Sequence, residues 1–278
     1  MRSTVTLRVN ALPKAVAQFR KVVWMYHKKH GRHNLPWRKT KDPYRILVSE
    51  MMLQQTQVER VIPFYKKFIK KFPTAKRLAS SSLTPVLQAW QGLGYNRRAK
   101  MLHVAAKELA ATRADPIAKL EALPGVGPYT ALAVAAFAYN ENVIFVETNI
   151  RTAVIHHFFP ERKGVQDNEI EEILQEALPK GRAREWYGAL MDYGASLKRS
   201  GISHNAQSRQ YAKQSKFAGS LREARGAILR ALVLGAASPT HLINLLGDSR
   251  RAQMRAALRA LWKEQLVEKD NENYMLAR

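Results

Sequence analysis

Apolar side chains recur every three or four residues along most of the chain, which is the spacing of one face of an α-helix. Residues 13–30 show this pattern, with a basic opposite face. The same spacing predicts further helices at about 43–57, 60–71, 83–91, 97–112, 116–122, 129–138, 149–159, 167–178 and 183–198. No strong strand alternation precedes residue 200, so this part of the chain is predicted to be all-α.

The helical pattern restarts after a polar, basic stretch at 199–217, which predicts a loop or linker. Beyond it, helices are predicted at 220–234, 239–246 and 250–265, followed by a hairpin that turns at 270–272. Three helices and a terminal hairpin in about 60 residues indicate a small winged-helix-like domain. Arginines of the third helix suit a DNA-facing element, and the alternative is a protein-contact or packing module with a solvated basic face. They are Arg250, Arg251, Arg255 and Arg259.

The charge of the chain narrows the choice of partner. Its 278 residues carry a formal net charge of +24 and a pI near 10.4, with an ordinary hydrophobic fraction of 46%. An excess of this size favours polyanions through counterion release, so DNA or RNA is the first expectation and an anionic membrane surface the second.

The chain contains no cysteine. Disulfides, thiolate zinc sites, cysteine nucleophiles and cysteine-ligated iron–sulfur clusters are therefore excluded, and we expect no metal and no cofactor. No apolar run approaches the ~18–20 residues of a membrane span, and residues 1–20 lack the apolar core of a signal peptide. We expect a soluble protein of the cytoplasm, associated with the nucleoid if the cell is bacterial.

A glycine-paired turn, Leu123–Thr130, lies between two predicted helices. Gly125 and Gly127 permit φ > 0 or a close approach to a ligand, and Pro128 suits the first turn of the next helix. A helix that starts directly after a tight turn presents free N–H groups and a positive dipole end, which bind an anion such as phosphate. The alternative is a simple corner between two helices.

Asp42 and Pro43 predict the start of a helix that carries a carboxylate on its apolar face. The apolar positions are Ile46, Leu47, Met51 and Leu53. Glu50 lies among them, so its carboxyl group should be partly desolvated, with a raised pKa that lets it hold a proton near neutral pH. The alternative is a glutamate at the edge of this face that reaches water or an arginine. An amide-rich cluster, Gln54–Gln57, ends the helix and can bind base edges or simply face solvent.

Three further positions carry candidate chemistry. Arg38, in an extended segment, is a candidate ligand for a phosphate or a carboxylate, or else a solvated side chain. Gly92–Tyr95 predicts a turn between two helices. Glu147 precedes a helix that Thr148 or Asn149 is predicted to cap, and a carboxylate there complements the helix dipole.

Taken in order, six of these segments resemble the adenine DNA glycosylase (MutY) branch of the helix-hairpin-helix glycosylases, relatives of endonuclease III. The segments are Leu35–Arg38, Asp42–Tyr44, Ser49–Val58, Gly92–Tyr95, Leu123–Thr130 and Met191–Ala195. The resemblance covers roughly residues 14–198. It implies an enzyme that flips a base out of the duplex into a cleft between two lobes.

The resemblance implies an all-α, two-lobed helix-hairpin-helix glycosylase domain at 1–216. One lobe would be 33–140, and the other would combine 1–32 with 141–216. Residues 217–278 remain as the winged-helix-like domain.

Roles for individual residues are also implied by the resemblance. Glu50 matches the catalytic acid that protonates the adenine, a role that requires a raised pKa. Glu147 stands where the family has an aspartate that stabilises the sugar cation or the covalent intermediate, and Asn149 matches an active-site asparagine. Tyr129 stands where bifunctional relatives carry a Schiff-base lysine. Because a phenol cannot form that imine, the abasic site is predicted to be left uncut.

Several residues are expected to contact DNA. Gln55 matches a residue wedged into the base stack beside the lesion strand, and Tyr95 lies in another DNA-contacting loop. The predicted DNA-binding residues are Arg38, Gln54, Gln55, Thr56, Leu93, Tyr95, Gly125, Val126, Gly127 and Thr130. The implied partner is double-stranded DNA with a mispaired or damaged base, bound by a monomer.

The activity expected is hydrolysis of the N-glycosidic bond of adenine opposite 8-oxoguanine or guanine, without strand cleavage. The alternatives are removal of thymine or uracil opposite guanine, and a non-catalytic DNA-binding protein that uses its winged helix. Three departures from the family bear on the choice. Glu147 is one methylene longer than aspartate, the four cluster cysteines are missing so that 196–216 needs other contacts, and 217–278 replaces a Nudix-like domain that helps recognise 8-oxoguanine.

Overall fold

The structure is a computed structural model that describes residues 12–111, 117–209 and 216–278. Parts of some predicted elements lie outside the described residues. They are the N-terminal end of the first predicted domain, the facing ends of the helices predicted at 97–112 and 116–122, and part of the linker predicted at 199–217.

The described chain forms two compact units. The first combines the stretch that ends at Pro43 with the stretch from Pro128 to residue 209, and the second combines Tyr44–Gly127 with residues 216–278. The domain and lobe boundaries inferred from the sequence stay predictions.

Helices make up most of the described residues. In chain order they are α1 (Leu12–His30), α2 (Pro43–Leu53), α3 (Val58–Lys71), α4 (Ala75–Ala79), α5 (Leu83–Trp90), α6 (Arg97–Ala111), α7 (Pro128–Val134), α8 (Thr148–Phe158), α9 (Asp167–Ala177), α10 (Ala183–Arg199), α11 (Leu221–Leu234), α12 (Pro239–Asn244) and α13 (Arg251–Lys263). Short 3₁₀ helices occupy Pro36–Lys39, Ile117–Ala122, Asn205–Gln207 and Asp248–Arg250, and a π-helical turn occupies Ala135–Tyr139. The strands β1 (Val267–Asp270) and β2 (Asn273–Leu276) form an antiparallel hairpin. The prediction of an all-α fold with a C-terminal hairpin is confirmed.

Aromatic side chains fill the core of the first unit. Phe19 of α1, on the apolar face predicted from the sequence, meets Trp186 of α10 edge to face, with ring centroids 6.0 Å apart. Phe145 stacks on Tyr187 with centroids 4.0 Å apart. Contacts of this kind stabilise a core beyond the burial of area alone.

The C-terminal module, defined as residues 217–278, packs on α5 and α6 within the second unit. Thr84 Oγ1 on α5 donates to the Ala277 carbonyl at 2.9 Å, and Lys100 Nζ on α6 donates to the Glu264 carbonyl at 2.7 Å. Inside the module, Arg225 of α11 pairs with the Glu264 carboxylate at 2.6 Å, which ties α11 to the end of α13. Side-chain hydrogen bonds therefore join the module to α5 and α6.

Among the helix ends that differ from the prediction, two have a clear local cause. Helix α2 ends at Leu53 rather than near residue 57, because Gln55 takes a left-handed conformation with φ 54° and the chain turns. Helix α8 is capped by Glu147, not by Thr148 or Asn149, since the glutamate side chain accepts the first free N–H groups.

Helix α4 was not predicted. Its five residues are too short to show a periodic apolar pattern, and the local signal is the cap. Thr74 Oγ1 accepts a hydrogen bond from the Arg77 N–H at 3.2 Å. Among the described helices, none combines the length and the apolar character that crossing a membrane requires.

Candidate active site and DNA interface

Glu50 lies on the buried face of α2. The residue is only 6% exposed, and the flanking Leu47 and Met51 are fully buried. The prediction that Glu50 is buried among apolar side chains is confirmed, whereas its role as an acid stays a prediction.

A tight turn of Gln54, Gln55 and Thr56 follows directly after α2; we call it the amide turn. The Gln54 N–H donates to the Glu50 carbonyl at 3.3 Å, so the amide turn begins one helical turn beyond Glu50. Gln55 is exposed and left-handed, a conformation that is uncommon and unfavourable for a residue with a Cβ. The turn therefore presents the Gln55 amide at the surface.

A second turn, Gly92–Tyr95, is built from left-handed residues; we call it the tyrosine turn. Gly92 and Gly94 have φ of 107° and 74°, and Tyr95 has φ of 47°. Leu93 is buried, so a contact between Leu93 and DNA would use its main chain. The Tyr95 ring is half-buried and partly accessible.

Arg98, near the start of α6, hydrogen bonds both turns. Its guanidinium nitrogens donate to the carbonyl oxygens of Gln54 (2.6 Å), Met51 (2.7 Å), Met52 (3.1 Å), Gly94 (3.1 Å) and Tyr95 (3.4 Å), and to Thr56 Oγ1 (3.3 Å). The acceptors in α2 and the amide turn include backbone carbonyls at the end of the helix, which have no hydrogen-bond partner within it. Burial lowers the pKa of the Arg98 guanidinium to about 10, which leaves it charged at neutral pH.

The sequence analysis missed Arg98, although a signal was present. Arg97 and Arg98 both lie in the first turn of α6. Cations at a helix N-terminus oppose the helix dipole, so their presence there indicates another partner. For Arg98 the partners are the two turns.

A pocket of about 500 Å³ opens beside the two turns, within the second unit. Its lining includes Gln54, Gln55, Tyr95 and Gly125, four of the predicted DNA-binding residues, together with Arg98. The structure thus brings together residues that lie far apart in the sequence.

The glycine turn requires glycine at one of its two positions. Gly125 has φ of 79°, and a Cβ there would collide with the side chain of Met101. Gly127 is not left-handed and faces open space, so of the two alternatives φ > 0 does not apply to it, and a close approach to a ligand stays a prediction. Val126 and Thr130 have buried side chains, which restricts any contact between them and DNA to the main chain.

Glu147 is the N-cap of α8. Its Oε1 accepts from the N–H groups of Asn149 at 2.7 Å and Ile150 at 2.9 Å, and its Oε2 accepts from Asn149 Nδ2 at 3.2 Å. Asn149 Oδ1 in turn accepts from Lys198 Nζ at 2.9 Å. Burial lowers the pKa of Lys198. The chain of contacts fixes Glu147 and Asn149 as one group.

Gly194 of α10 holds this group close. A Cβ at Gly194 would overlap the Asn149 carbonyl, so only glycine permits the two helices to approach as they do. The Met191–Ala195 segment that carries part of the family resemblance therefore has a packing function beside Asn149.

Tyr129 lies in the first turn of α7 and is half-buried. Its ring meets Phe145 edge to face, with centroids 5.6 Å apart. This contact fixes the ring but assigns no chemistry to it.

Arg38 binds a carboxylate of the protein. Its guanidinium donates to both oxygens of Asp192, at 2.6 Å and 2.9 Å, and to the Gly188 carbonyl at 3.0 Å. Arg32 and His27 lie on the same carboxylate. Of the alternatives left open by the sequence, the carboxylate ligand is confirmed, and these contacts argue against a DNA-binding role for Arg38.

Residues 200–209, part of the segment 196–216 in which the family carries its cluster cysteines, are held by hydrogen bonds. Within 200–209, His204 contacts His156 at 3.1 Å, Gln207 donates to the Pro160 carbonyl at 2.7 Å, and the Arg209 N–H donates to the Val165 carbonyl at 3.2 Å. The residues present do not fit an iron–sulfur cluster, because the chain has no cysteine. Across the described ranges, no set of three or more His, Asp or Glu side chains could hold a metal ion.

The arginines of the third helix of the module are not all free to face DNA. Arg250 pairs with Glu223 at 2.6 Å and Arg251 pairs with Asp248 at 2.9 Å. Arg255 and Arg259 are exposed, as the sequence predicts for all four arginines. Neither of these two forms an ion pair with a described residue, in contrast to Arg250 and Arg251.

Comparison with known proteins places these observations in a family. The chain matches the family described as HhH-GPD superfamily base excision DNA repair protein over residues 48–180. An adenine DNA glycosylase of Mycolicibacterium smegmatis is 34% identical over 264 residues, which cover 87% of this chain and 85% of that protein. An adenine DNA glycosylase of Buchnera aphidicola subsp. Baizongia pistaciae is 36% identical over 182 residues, 63% of this chain and 50% of that protein.

Solved structures share the fold. One described as a thermostable thymine-DNA glycosylase matches with a TM-score of 0.59 and 24% identity, covering 71% of this chain and 97% of that chain. The chain belongs to the HhH-GPD superfamily of base excision DNA repair proteins, in the branch of the adenine DNA glycosylases.

Proposed function

We propose that the protein is a monofunctional DNA glycosylase that hydrolyses the N-glycosidic bond of adenine mispaired with 8-oxoguanine or guanine. Family membership and the adenine DNA glycosylases among the relatives support the activity and the base. The structural observation that carries the chemistry is Glu50, which is 6% exposed on an apolar helix face, one helical turn before the amide turn. Apolar burial is the environment in which a carboxyl group acts as an acid near neutral pH.

The proposed reaction breaks the bond between the adenine nitrogen and C1′ of the deoxyribose. The electron pair of that bond passes to the base, which takes a proton from Glu50. The carboxylate of Glu147 stabilises the positive charge that develops on the sugar. A water oxygen then bonds to C1′ and its proton passes to Glu50, which leaves free adenine, an abasic site and the acid restored.

Tyr129 limits the reaction to hydrolysis of the N-glycosidic bond. An imine with the sugar requires an amine, and a phenol at this position supplies none. The phosphodiester next to the abasic site is therefore left intact. We infer that a monomer acts on double-stranded DNA in the cytoplasm, at the nucleoid if the cell is bacterial.

Excision assays on four duplexes test the proposal. They carry A opposite 8-oxoguanine, A opposite G, T opposite G and U opposite G, and alkali converts abasic sites to breaks. Wild type should cut only the adenine duplexes, and Glu50→Gln should lower the single-turnover rate by at least about a hundredfold. Glu59→Gln, an exposed glutamate on α3, is the matched control and should keep the wild-type rate.

Other results would contradict the proposal in distinct ways. Product from the T or U duplexes alone points to the other base preference. Tight binding of every duplex with no product points to a non-catalytic protein. Strand breaks that form without alkali and are trapped by borohydride would show that the enzyme is not monofunctional.

Variants of Glu147 separate its cap from its chemistry. Glu147→Asp should keep or raise the single-turnover rate, because it restores the family's residue and aspartate is a strong N-cap. Glu147→Ser keeps a capping oxygen without the charge, so it should stay folded and lose activity. Glu147→Ala should also lose about 1 kcal/mol of stability. An alanine variant with the wild-type rate would remove Glu147 from the mechanism.

A further inference from the structure

Helix α13 has a solvent-exposed side that carries cations, alanines and one tryptophan. Its buried side packs against α11 and α12 within the C-terminal module. We call the exposed residues from 252 to 263 the outer face of α13; they are Ala252, Arg255, Ala256, Arg259, Trp262 and Lys263. Trp262 is 57% exposed, which is unusual for a side chain that is mostly buried in folded proteins.

The polar groups of the outer face are all hydrogen-bond donors. Guanidinium and ammonium groups donate and cannot accept, and an indole ring has one N–H donor and no acceptor. Within the part of the chain that the structure describes, Arg255, Arg259 and Lys263 form no ion pair. A face of free cations with donors alone is complementary to a partner that is anionic and rich in acceptors.

The three cations form a row whose length suits a phosphate backbone. Residues 255, 259 and 263 are separated by four positions each, so they lie about 6 Å apart along the helix axis and span about 12 Å. One strand of duplex DNA carries a charge every ~3.4 Å along its axis, so the row can cover about three phosphates. Ala252 and Ala256, whose side chains are single methyl groups, allow the helix to approach this backbone closely.

The hairpin beside α13 has the opposite charge. Its residues include Glu268, Asp270 and Glu272 against the single cation Lys269. Arg278 pairs with Glu268 at 3.3 Å, whereas Asp270 and Glu272 lie exposed at the turn. Because like charges repel, a duplex on the outer face would contact α13 and avoid the hairpin.

The outer face belongs to a module that is joined to the rest of the second unit. Besides the contacts of α5 and α6 with the module, Arg222 Nη1 donates to the Tyr95 hydroxyl oxygen at 2.8 Å. The residues of the outer face are not among those that line the pocket beside the two turns. The outer face is therefore a separate surface on the same compact unit as Glu50.

We propose that the outer face of α13 binds the phosphate backbone of intact duplex DNA, away from the nucleotide that is excised. The proposal goes beyond the proposed function, since it requires neither a mispair nor chemistry at Glu50. Of the roles that the sequence left open for this helix, it assigns the DNA-facing one, to Arg255 and Arg259 together with Lys263. Contacts of this kind hold a protein on DNA without reading its sequence.

Binding to undamaged DNA tests the proposal. The probe is a fully paired, fluorescein-labelled duplex, and its affinity is followed by anisotropy over a series of salt concentrations. A chain with Arg255→Gln, Arg259→Gln and Lys263→Gln should bind at least about tenfold more weakly than wild type. Its plot of log affinity against log salt should be shallower by about 2–3, because each lost phosphate contact removes about 0.9.

Matched variants separate the outer face from the charge of the whole protein. Arg230→Gln removes an exposed cation of α11 in the same module and should leave the salt slope unchanged. Arg259→Gln alone should make the slope shallower by about 1. Ala256→Glu places a carboxylate among the three cations, and it should weaken binding while the helix stays folded, because alanine and glutamate both favour helices.

Three results would overturn the proposal. The first is an unchanged salt slope in the folded triple variant, which would assign the outer face to an acidic protein instead. The second is equal behaviour of Arg230→Gln and Arg259→Gln. The third is weaker binding when Asp270→Asn and Glu272→Gln are combined, which would place the hairpin on the DNA.

The excision assay keeps this proposal distinct from the proposed function. With saturating enzyme, the triple variant should excise adenine at the wild-type single-turnover rate, whereas Glu50→Gln should not. Conversely, Glu50→Gln should bind the undamaged duplex with the wild-type salt slope. Failure of the excision chemistry would therefore leave the duplex-binding result intact.

Discussion

Each compact unit contains a charged side chain that gathers several hydrogen bonds, and the two charges have opposite signs. In the first unit the charge is Asp192, 1% exposed, which accepts from Arg32 and Arg38. In the second unit it is Arg98, which donates to both turns. Both groups join segments that are distant in the sequence.

The partners of the two charges differ. Asp192 is surrounded by cations, and although burial alone raises its pKa, His27 and Arg38 lower the pKa well below its usual range. The hydrogen bonds of Arg98 all go to neutral oxygens of the described residues. The Asp192 carboxylate is compensated by two arginines, whereas the Arg98 guanidinium donates its hydrogen bonds to neutral oxygens and keeps an uncompensated positive charge at the turns predicted to meet DNA. A local positive field attracts phosphate. The difference suggests that one network serves stability and the other serves binding as well.

The largest effect is expected from Asp192→Asn. Removing one partner of a buried ion network leaves the other charges uncompensated, so the free energy of unfolding should fall by about 3–5 kcal/mol. Urea unfolding followed by circular dichroism measures it. The control is Glu185→Gln on the same helix, whose pair with Arg182 has side chains 49% and 52% exposed, and it should cost less than about 1 kcal/mol. Equal losses of unfolding free energy in the two variants would show that the Asp192 network stabilises the first unit no more than an exposed ion pair does.

A smaller effect is expected from Arg98→Lys. Lysine keeps the charge but cannot supply the forked set of donors, so the two turns should loosen and the affinity for duplex DNA should fall about tenfold. Fluorescence anisotropy at several salt concentrations measures the affinity for duplex DNA and the dependence of that affinity on salt. The salt slope should stay unchanged, because no charge is lost. The control is Arg97→Lys, which changes the exposed neighbouring residue. If Arg98→Lys bound duplex DNA as tightly as Arg97→Lys, the Arg98 network would not contribute to binding.

The third effect concerns the pH dependence of stability and lies in the first unit. His157 contacts the Tyr193 hydroxyl at 2.8 Å and the Phe19 ring, and burial followed by neighbouring His156 lowers its pKa to about 4. Because an unfolded histidine titrates near 6.5, the fold favours the neutral form, and this contribution is complete above about pH 6.5 and is lost as pH falls towards 4.

Urea unfolding at several pH values checks this expectation. Stability of the wild type should fall more steeply between pH 6.5 and 4 than that of His157→Gln, which cannot titrate. The exposed His30→Gln variant should keep the wild-type slope. If removing His157 left the slope unchanged, the loss of stability between pH 6.5 and 4 would come from other groups.

Local pattern was sufficient for much of the fold. The apolar spacing predicted α1 and the burial of Glu50, because which face of a helix is buried follows from the spacing of apolar residues close by in the sequence. Pro128 marked the start of α7 for the same kind of reason.

The two charge networks could not be predicted from that pattern. Arg32 and Asp192 are 160 residues apart, and Arg98 lies 44 residues from Gln54. Periodicity reports which face is buried but not which carbonyl a long side chain reaches. The contact of Arg222 with Tyr95 was missed for the same reason, since 127 residues separate them.

The tyrosine turn has a consequence for how fast and how tightly DNA is bound. Gly92, Gly94 and Tyr95 already hold left-handed conformations in the free protein. A loop that becomes ordered on binding loses conformational entropy, and this loss lowers the affinity of the complex. Here that entropy was lost when the chain folded, so the turn is preorganised for the contact with DNA that is predicted for it. Replacing Gly94 with a residue that resists this conformation would move the entropic cost back to the encounter with DNA.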